Sequence, residues 1–220
     1  METLKFRCLV LDHDDTVVKS AEAVNYPAFI DYIKDKKFRK LSFREFTMGC
    51  FQYGFNDLCR NCLGMSKEEM DDQFEAWKSY VRTHIPPAYD GMSRLLHGFR
   101  AAGGLICVSS HSSIENITRD YQRDFHLLPD AIYAWELGED LRKPNPYALQ
   151  DIMSRYHLQP DEILMVDDMK SGCDMAKCCG VPFGCAGWSV FIPELEEDMR
   201  RRSDYYFEKV KDLASLLLNS

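Results

Sequence analysis

Three short apolar runs, each ending in a residue able to do chemistry, constrain this chain more than any other feature. Cys8–Leu11 runs into Asp12, Leu105–Val108 into Ser109 and Ser110, and Ile163–Val166 into Asp167 and Asp168. Continuous apolar runs of this length, without alternation, suit strands buried on both faces of a parallel sheet. Ala131–Trp135 and Val181–Ala186 read as two further strands. Between them lie stretches with helical spacing. Leu95, Leu96 and Phe99 form an apolar face that should stop at Gly103-Gly104. Asn145-Pro146 reads as an N-cap followed by proline at the first helical position, opening a helix to about Arg155. From Glu208 to Leu218, the residues Val210, Leu213, Leu216 and Leu217 recur at helical spacing. Strands alternating with helices predict an α/β fold, a doubly wound parallel sheet of Rossmann-like build.

One region breaks the alternation. Between about Val17 and Ala88 there is no convincing strand but several helical patterns. Ser66 and Glu69 form a capping box ahead of Met70, Phe74, Trp77 and Val81, and Pro86-Pro87 closes the segment. The pattern predicts a small helical domain, 17–88, inserted into a core made of 1–16 and 89–220. Phe74, Trp77 and Tyr80 read as packing residues, and Phe51, Tyr53 and Phe55 as residues able to face a ligand. Cys59 and Cys62 form a C-x-x-C with no second pair at zinc-site spacing, so both read as helix-packing thiols.

The charge count, 27 basic against 35 acidic residues for a net −8, repels phosphate backbones and anionic lipid. Nucleic acid and membrane surfaces are therefore not expected partners. Nine cysteines, an odd number, include Cys8, Cys107, Cys173, Cys178 and Cys185 in or beside apolar segments. Buried reduced thiols fit a cytoplasmic protein. No apolar stretch is long enough to cross a bilayer, and METLKFRCLVLDHDD lacks a signal-peptide pattern. A soluble, cytoplasmic protein is expected, a monomer rather than an obligate oligomer.

Open parallel sheets bind ligands at the carboxyl ends of their strands. The residues expected there are Asp12, Asp14, Ser109, Asp167 and Asp168. Four carboxylates at one edge repel one another, and a cation or a proton must offset that repulsion. An oxygen-rich site without clustered His or Cys suits a hard ion, and Mg²⁺ fits best. Ser109 can donate to a phosphoryl oxygen, with Ser110 and His111 as alternatives. Lys143 can neutralise an anionic substrate and a charged nucleophile together. His13, between the two aspartates, should point away from them if the segment stays extended, and it receives no role.

The stretch LVLDHDDTVVKS resembles the first motif of the haloacid dehalogenase superfamily, an apolar strand followed by D-x-D-x-T. ICVSS, RKPNP and LMVDD follow in order as similar second, third and fourth motifs, and the inserted segment lies where that family places a helical cap. The resemblance implies a phosphatase that hydrolyses a small phosphorylated metabolite through an aspartyl-phosphate. Asp12 would be the nucleophile and Asp14 the general acid and base. Ser109 and Lys143 would bind the phosphoryl group, and Thr16 would order the turn. Asp12, Asp168, the backbone carbonyl of Asp14, and Asp167 directly or through water would hold Mg²⁺. An acid at position 14 suits an alkoxide leaving group, which needs a proton, and not a halide, which does not.

Two positions depart from the pattern: Asp15 stands where relatives have glycine, and Lys19 where many have aspartate. Lys19 reads as a solvated charge. Sugar phosphomutases of the superfamily carry a histidine near the position of Val24, which cannot relay a proton, so mutase activity ranks behind hydrolysis. A receiver-like phosphoacceptor is the non-enzymatic alternative, although receivers place the acidic pair before the lysine in the chain.

Overall fold

The computed structural model describes residues 4–218. Met1–Thr3, the start of the stretch read above for a leader, and residues 219–220 lie outside the described residues. The apolar runs become strands of one six-stranded parallel sheet: β1 (Cys8–Leu11), β2 (Leu105–Ser109), β3 (Ala131–Tyr133), β4 (Ile163–Asp167), β5 (Phe183–Ala186) and β6 (Tyr205–Phe207). Their order is β3-β2-β1-β4-β5-β6. The chain therefore reverses direction across the sheet between β2 and β4, on either side of β1, and this is where such folds bind ligands.

Two predicted strands are shortened and one was missed. β3 stops at Tyr133 because the Trp135 N–H turns to the Ser112 carbonyl (2.8 Å), and Trp135–Leu137 form a 3₁₀ turn. β5 begins only at Phe183, after Pro182, which has no N–H to give a ladder. β6 is three residues long and flanked by charges, too short to stand out by pattern.

Register places the chemistry. Leu11 pairs with Val108 on one side and Val166 on the other, so Asp12, Ser109 and Asp167 come level one step later. Side chains alternate across a strand. Leu9, Leu11, Ile106, Val108, Leu164 and Val166 thus fall on one face and join a single buried cluster.

The described residues divide into two compact units, Lys19–Pro87 and the remainder. The smaller is all helical: a π-turn at Ala21–Asn25, α1 (Tyr26–Ile33), α2 (Phe43–Tyr53), a single turn α3 (Phe55–Asp57), a second π-turn at Leu58–Cys62, and α4 (Lys67–Val81). Capping boxes start α2 at Ser42 and α4 at Ser66, the former unread in the sequence. Its own core gathers Phe29, Ile33, Phe46, Leu58, Cys59 and Met65. The Lys19 N–H meets the Pro87 carbonyl at 2.9 Å, so the segment's two ends lie together. α4 hides the side predicted for it, with Phe74 stacked on Trp77 at 5.7 Å between ring centroids. Gln73 and Val81 are its buried residues, while Phe74, Trp77 and Tyr80 are half-buried. Phe51 and Phe55 are half-buried and Tyr53 is exposed. Cys59 is buried, whereas Cys62, also read as a packing thiol, is exposed.

In the larger unit, α5 (Met92–Ala101), α6 (Ile114–Phe125), α7 (Tyr147–Tyr156), α8 (Lys170–Cys179), α9 (Pro193–Arg202) and α10 (Val210–Leu218) connect and cover the strands. α5, α6 and α10 supply Phe99, Ile117, Tyr121 and Leu213 to the cluster on one sheet face. α7 starts one residue later than read. Pro146 takes the N-cap position, and the Asn145 carboxamide oxygen accepts from the Tyr147 N–H at 2.9 Å, an Asx turn. Of the five cysteines read as buried, Cys178 is exposed on α8; Cys8, Cys107, Cys173 and Cys185 are buried, and all are free thiols. No described helix is long and apolar enough to cross a membrane.

Candidate active site

At the carboxyl edge of the sheet, the tips of β1 and β4 bring acidic side chains together, and a loop delivers one lysine between them. Lys143 Nζ donates to Asp12 Oδ1 at 2.7 Å and to Asp167 Oδ2 at 2.5 Å. All three side chains are buried. The loop sends Lys143 inward because the Leu141 and Arg142 N–H groups both return to the Gly138 carbonyl, and the Arg142 guanidinium lies 3.5 Å from the Trp135 ring centroid. His111, just past β2, donates from Nε2 to the Lys143 carbonyl at 3.0 Å and pins the same residue from the other side. Burial and the Lys143 charge hold the His111 imidazole down at about 4, so it is neutral near pH 7.

Asp12, Asp167 and Asp168 each offer an oxygen within 4.8 Å of the others. Three acidic groups face one lysine. Burial, assisted by the negative charge of Asp12, raises Asp167 to about 7 despite the lysine. Asp168 is raised well above the usual carboxylate range by burial and by Asp167, Asp15 and Asp12. Burial works against the charge of Lys143, but Asp12 and Asp167 outweigh it and hold its pKa above the ordinary value. This excess of buried negative charge, presented by oxygen donors alone, fits a divalent hard cation such as Mg²⁺.

The two adjacent acids divide their work. Asp167 is fully buried and occupied, with Oδ2 on Lys143 and Oδ1 on the Met169 N–H at 2.7 Å. Asp168 is half-buried and meets Thr16 Oγ1 at 3.4 Å. Thr16, expected to order the turn, thus also reaches across to the β4 tip, while its carbonyl accepts from Trp188 Nε1 at 3.3 Å. Asp14 is half-buried on the turn after β1, with its side chain outside the three-carboxylate group. That turn is closed by the Asp15 N–H on the Val18 carbonyl (2.8 Å). Asp15 itself has φ 55°, the left-handed region where glycine is usual and aspartate is tolerated.

Ser109 ends β2 level with Asp12, and among the described residues its Oγ meets the soft sulfur of Met175 alone, at 4.0 Å. Ser110 has turned its Oγ to the Ser112 N–H (3.1 Å) and its own N–H to Tyr133, so Ser109 is the hydroxyl left available. Sequence reasoning missed Gly172 on α8. A Cβ built there would lie 2.2 Å from Asp167 Oδ2, so only glycine lets the helix approach this carboxylate. A glycine inside a helical pattern, four residues past an acidic pair, was the available signal.

The sequence matches the family model described as haloacid dehalogenase-like hydrolase over residues 9–186. No curated protein matches the chain. Among solved structures, a predicted phosphoglycolate phosphatase from Haemophilus somnus superposes with TM-score 0.74 at 16% identity, covering 96% of this chain and 98% of that one. CbbY from Rhodobacter sphaeroides, solved with phosphate, gives TM-score 0.74 at 16% identity over 94% and 96% of the two chains. A structure from Bacteroides vulgatus, provisionally assigned as a β-phosphoglucomutase, gives 0.75 at 15% identity over 97% and 88%. At such identities the likeness speaks for the fold.

Proposed function

Because the chain belongs to the haloacid dehalogenase-like hydrolase family, we propose that it is a Mg²⁺-dependent phosphatase acting on a small phosphorylated metabolite. The observation that carries this reading is the single lysine bridging Asp12 and Asp167 beside Asp168 at the strand tips. Such a group repels phosphate until a cation joins it, and then attracts it.

In this reading an Asp12 carboxylate oxygen attacks phosphorus while the ester oxygen departs, forming an aspartyl-phosphate and dividing one hard displacement into two. Asp14 gives its proton to the leaving oxygen. It then takes a proton from the water that attacks the aspartyl-phosphate, which frees Asp12 and inorganic phosphate. Lys143 and Ser109 hold phosphoryl oxygens, and Lys143 orients Asp12. Asp12, Asp168, the Asp14 carbonyl and, directly or through water, Asp167 would hold Mg²⁺, which when bound offsets charge on the transferring group. Asp167 also orients Lys143. A phosphomutase reading draws on the Bacteroides neighbour, but the buried Val24 offers no proton relay where such enzymes need one. The receiver-like alternative falls with membership of a hydrolase family.

The test is a panel of phosphorylated metabolites with Mg²⁺, comparing the native chain with Asp12→Asn. Loss of the nucleophile should lower kcat by about 10³-fold or more. Activity that survives Asp12→Asn refutes the nucleophile, and isomerisation of a sugar phosphate without phosphate release favours the mutase.

A further inference from the structure

We propose that His13 and Asp120 form a buried clasp that sets the position of the two catalytic aspartates from the opposite face of the sheet. His13 is then a positioning residue, and the inference rests on the phosphatase reading above for its effect on turnover.

Asp12 meets Lys143, whereas His13 meets Asp120 and stacks on Tyr121 of α6 with ring centroids 6.1 Å apart, beside the apolar cluster that holds Leu11, Val17 and Ile117. His13 and Asp120 are each only 1% exposed. His13 Nε2 lies 3.1 Å from Asp120 Oδ2, and a carboxylate partner means that Nε2 carries the proton. Asp120 is itself fixed on α6 by the Arg119 fork, with Nε at 2.8 Å and Nη2 at 3.1 Å, and Arg119 is tied to Asn116 at 3.1 Å. The Arg123 guanidinium stands 3.5 Å away.

The backbone of the same residue closes the catalytic turn. The Val17 and Val18 N–H groups both donate to the His13 carbonyl, at 2.9 and 3.1 Å. Residue 13 is therefore the pivot, with its carbonyl folding the turn and its ring fastening that turn to α6.

Packing alone does not account for an imidazole here, because burying a polar ring among apolar neighbours is unfavourable unless its groups are bonded. Only one ring nitrogen is bonded. Nδ1 is buried without a hydrogen-bond partner among the described residues. An apolar side chain would fill the space without that penalty, so the one bond to Asp120 is what the histidine adds. A rotation at this pivot moves Asp12 and Asp14 together, and misplacement by about 1 Å is enough to lose about 10²-fold in rate.

Three variants test the clasp: His13→Leu, which fills the space without an N–H; His13→Gln, which returns an N–H near the Nε2 position; and Asp120→Asn. The last keeps volume but has one acceptor oxygen to share between His13 and Arg119. The readouts are kcat and KM on p-nitrophenyl phosphate with Mg²⁺, Mg²⁺ affinity by calorimetry, and melting temperature. His13→Leu should lower kcat by about tenfold or more with KM within about twofold, and weaken Mg²⁺ binding several-fold; His13→Gln should recover most of both. Wild-type kcat and Mg²⁺ affinity in His13→Leu overturn the proposal, as does an equal loss in both His13 variants. If His13→Leu does not fold, Asp120→Asn decides: reduced kcat and weaker Mg²⁺ binding support the clasp, and unchanged values overturn it. Should the native protein bind Mg²⁺ yet hydrolyse no phosphate ester, the phosphatase reading fails, and the Mg²⁺ titrations alone still judge the clasp.

Discussion

Two buried charge clusters lie on opposite faces of the chain just after β1, and they follow opposite rules. On one face Asp12, Asp167 and Asp168 share a single lysine, and burial raises the pKa of both Asp167 and Asp168. On the other, the single carboxylate of Asp120 takes His13 and the Arg119 fork, with Arg123 nearby. Burial alone would raise Asp120, yet His13 and Arg119 outweigh it and hold the carboxyl below its ordinary value. The first cluster has unmet negative charge, which in the proposed reading a cation would offset before phosphate could bind. The second is neutralised within the protein and can only hold things still. Burial of charge by itself marks neither cluster as a site; the sign of the imbalance does.

The largest break in that contrast should come from Lys143→Met, which removes the one cation of the first cluster. On the proposed mechanism kcat/KM should fall by about 10²- to 10³-fold, since Lys143 would there be both a donor to the phosphoryl group and the partner of the nucleophile. Stranding Asp167 should also destabilise the metal-free protein by about 3 kcal/mol, the scale for breaking a buried pair. Mg²⁺ should restore part of the lost melting temperature. Full activity in this variant would mean that the lysine is scaffold and that the two clusters are alike.

Gly172→Ala perturbs the same cluster through packing. The added methyl meets the Asp167 carboxylate and must push it or α8 aside. Alanine is the better helix former by about 1 kcal/mol, so this substitution on propensity alone would stabilise. We expect instead a lower melting temperature and a roughly tenfold drop in kcat/KM from a displaced Asp167–Lys143 pair. A more stable, fully active Gly172→Ala would show that Asp167 has room to move.

This glycine also shows where the sequence stops being informative. The strands were legible because burial on both faces leaves continuous apolar runs, and parallel register then brings Asp12, Ser109 and Asp167 level without further information. The turn at Asp15 was legible through the resemblance, which puts glycine there, and aspartate is one of the few other residues that accept its left-handed backbone. Asp120 was not, since it sits 107 residues from His13 and meets it only through the docking of α6 on the sheet. Nor does local pattern show that Asp167 is sealed by Lys143 and Met169 while Asp168 stays half-open. In the helical unit, spacing revealed α4 and the side it hides, but not that Gln73 would be buried while Phe74 and Trp77 stay half-buried, because how deeply a residue sinks depends on the helix's neighbours.

Acid should weaken the difference between the clusters. Asp167 has a folded-state value near 7 against about 4 for an unfolded aspartate, so the folded protein binds the extra proton between those limits. Its contribution to the metal-free protein therefore falls as pH rises from about 4 to about 7, and Asp168 acts in the same direction. Mg²⁺ needs these groups ionised and reverses the trend. The rise in melting temperature on adding Mg²⁺ should be clearly greater near pH 8 than near pH 5.5. Equal rises at both values would mean that neither carboxyl takes up a proton in the folded state, and the charge imbalance would lose its support.

Asp15→Asn gives the finest adjustment of that balance. Asparagine is also tolerated at φ 55°, so the turn should keep its shape and only a charge is lost. Asp15 is one of the neighbours that push Asp168 upward, behind burial and Asp167. Without its charge Asp168 should ionise more readily, and the pH at which Mg²⁺ begins to stabilise the protein should fall by less than about half a unit. The shift is small because burial and Asp167, which dominate, remain in place. A shift upward, or one as large as that from Asp167→Asn, would mean that the turn itself had moved, and the effect could then no longer be attributed to one charge beside the cluster.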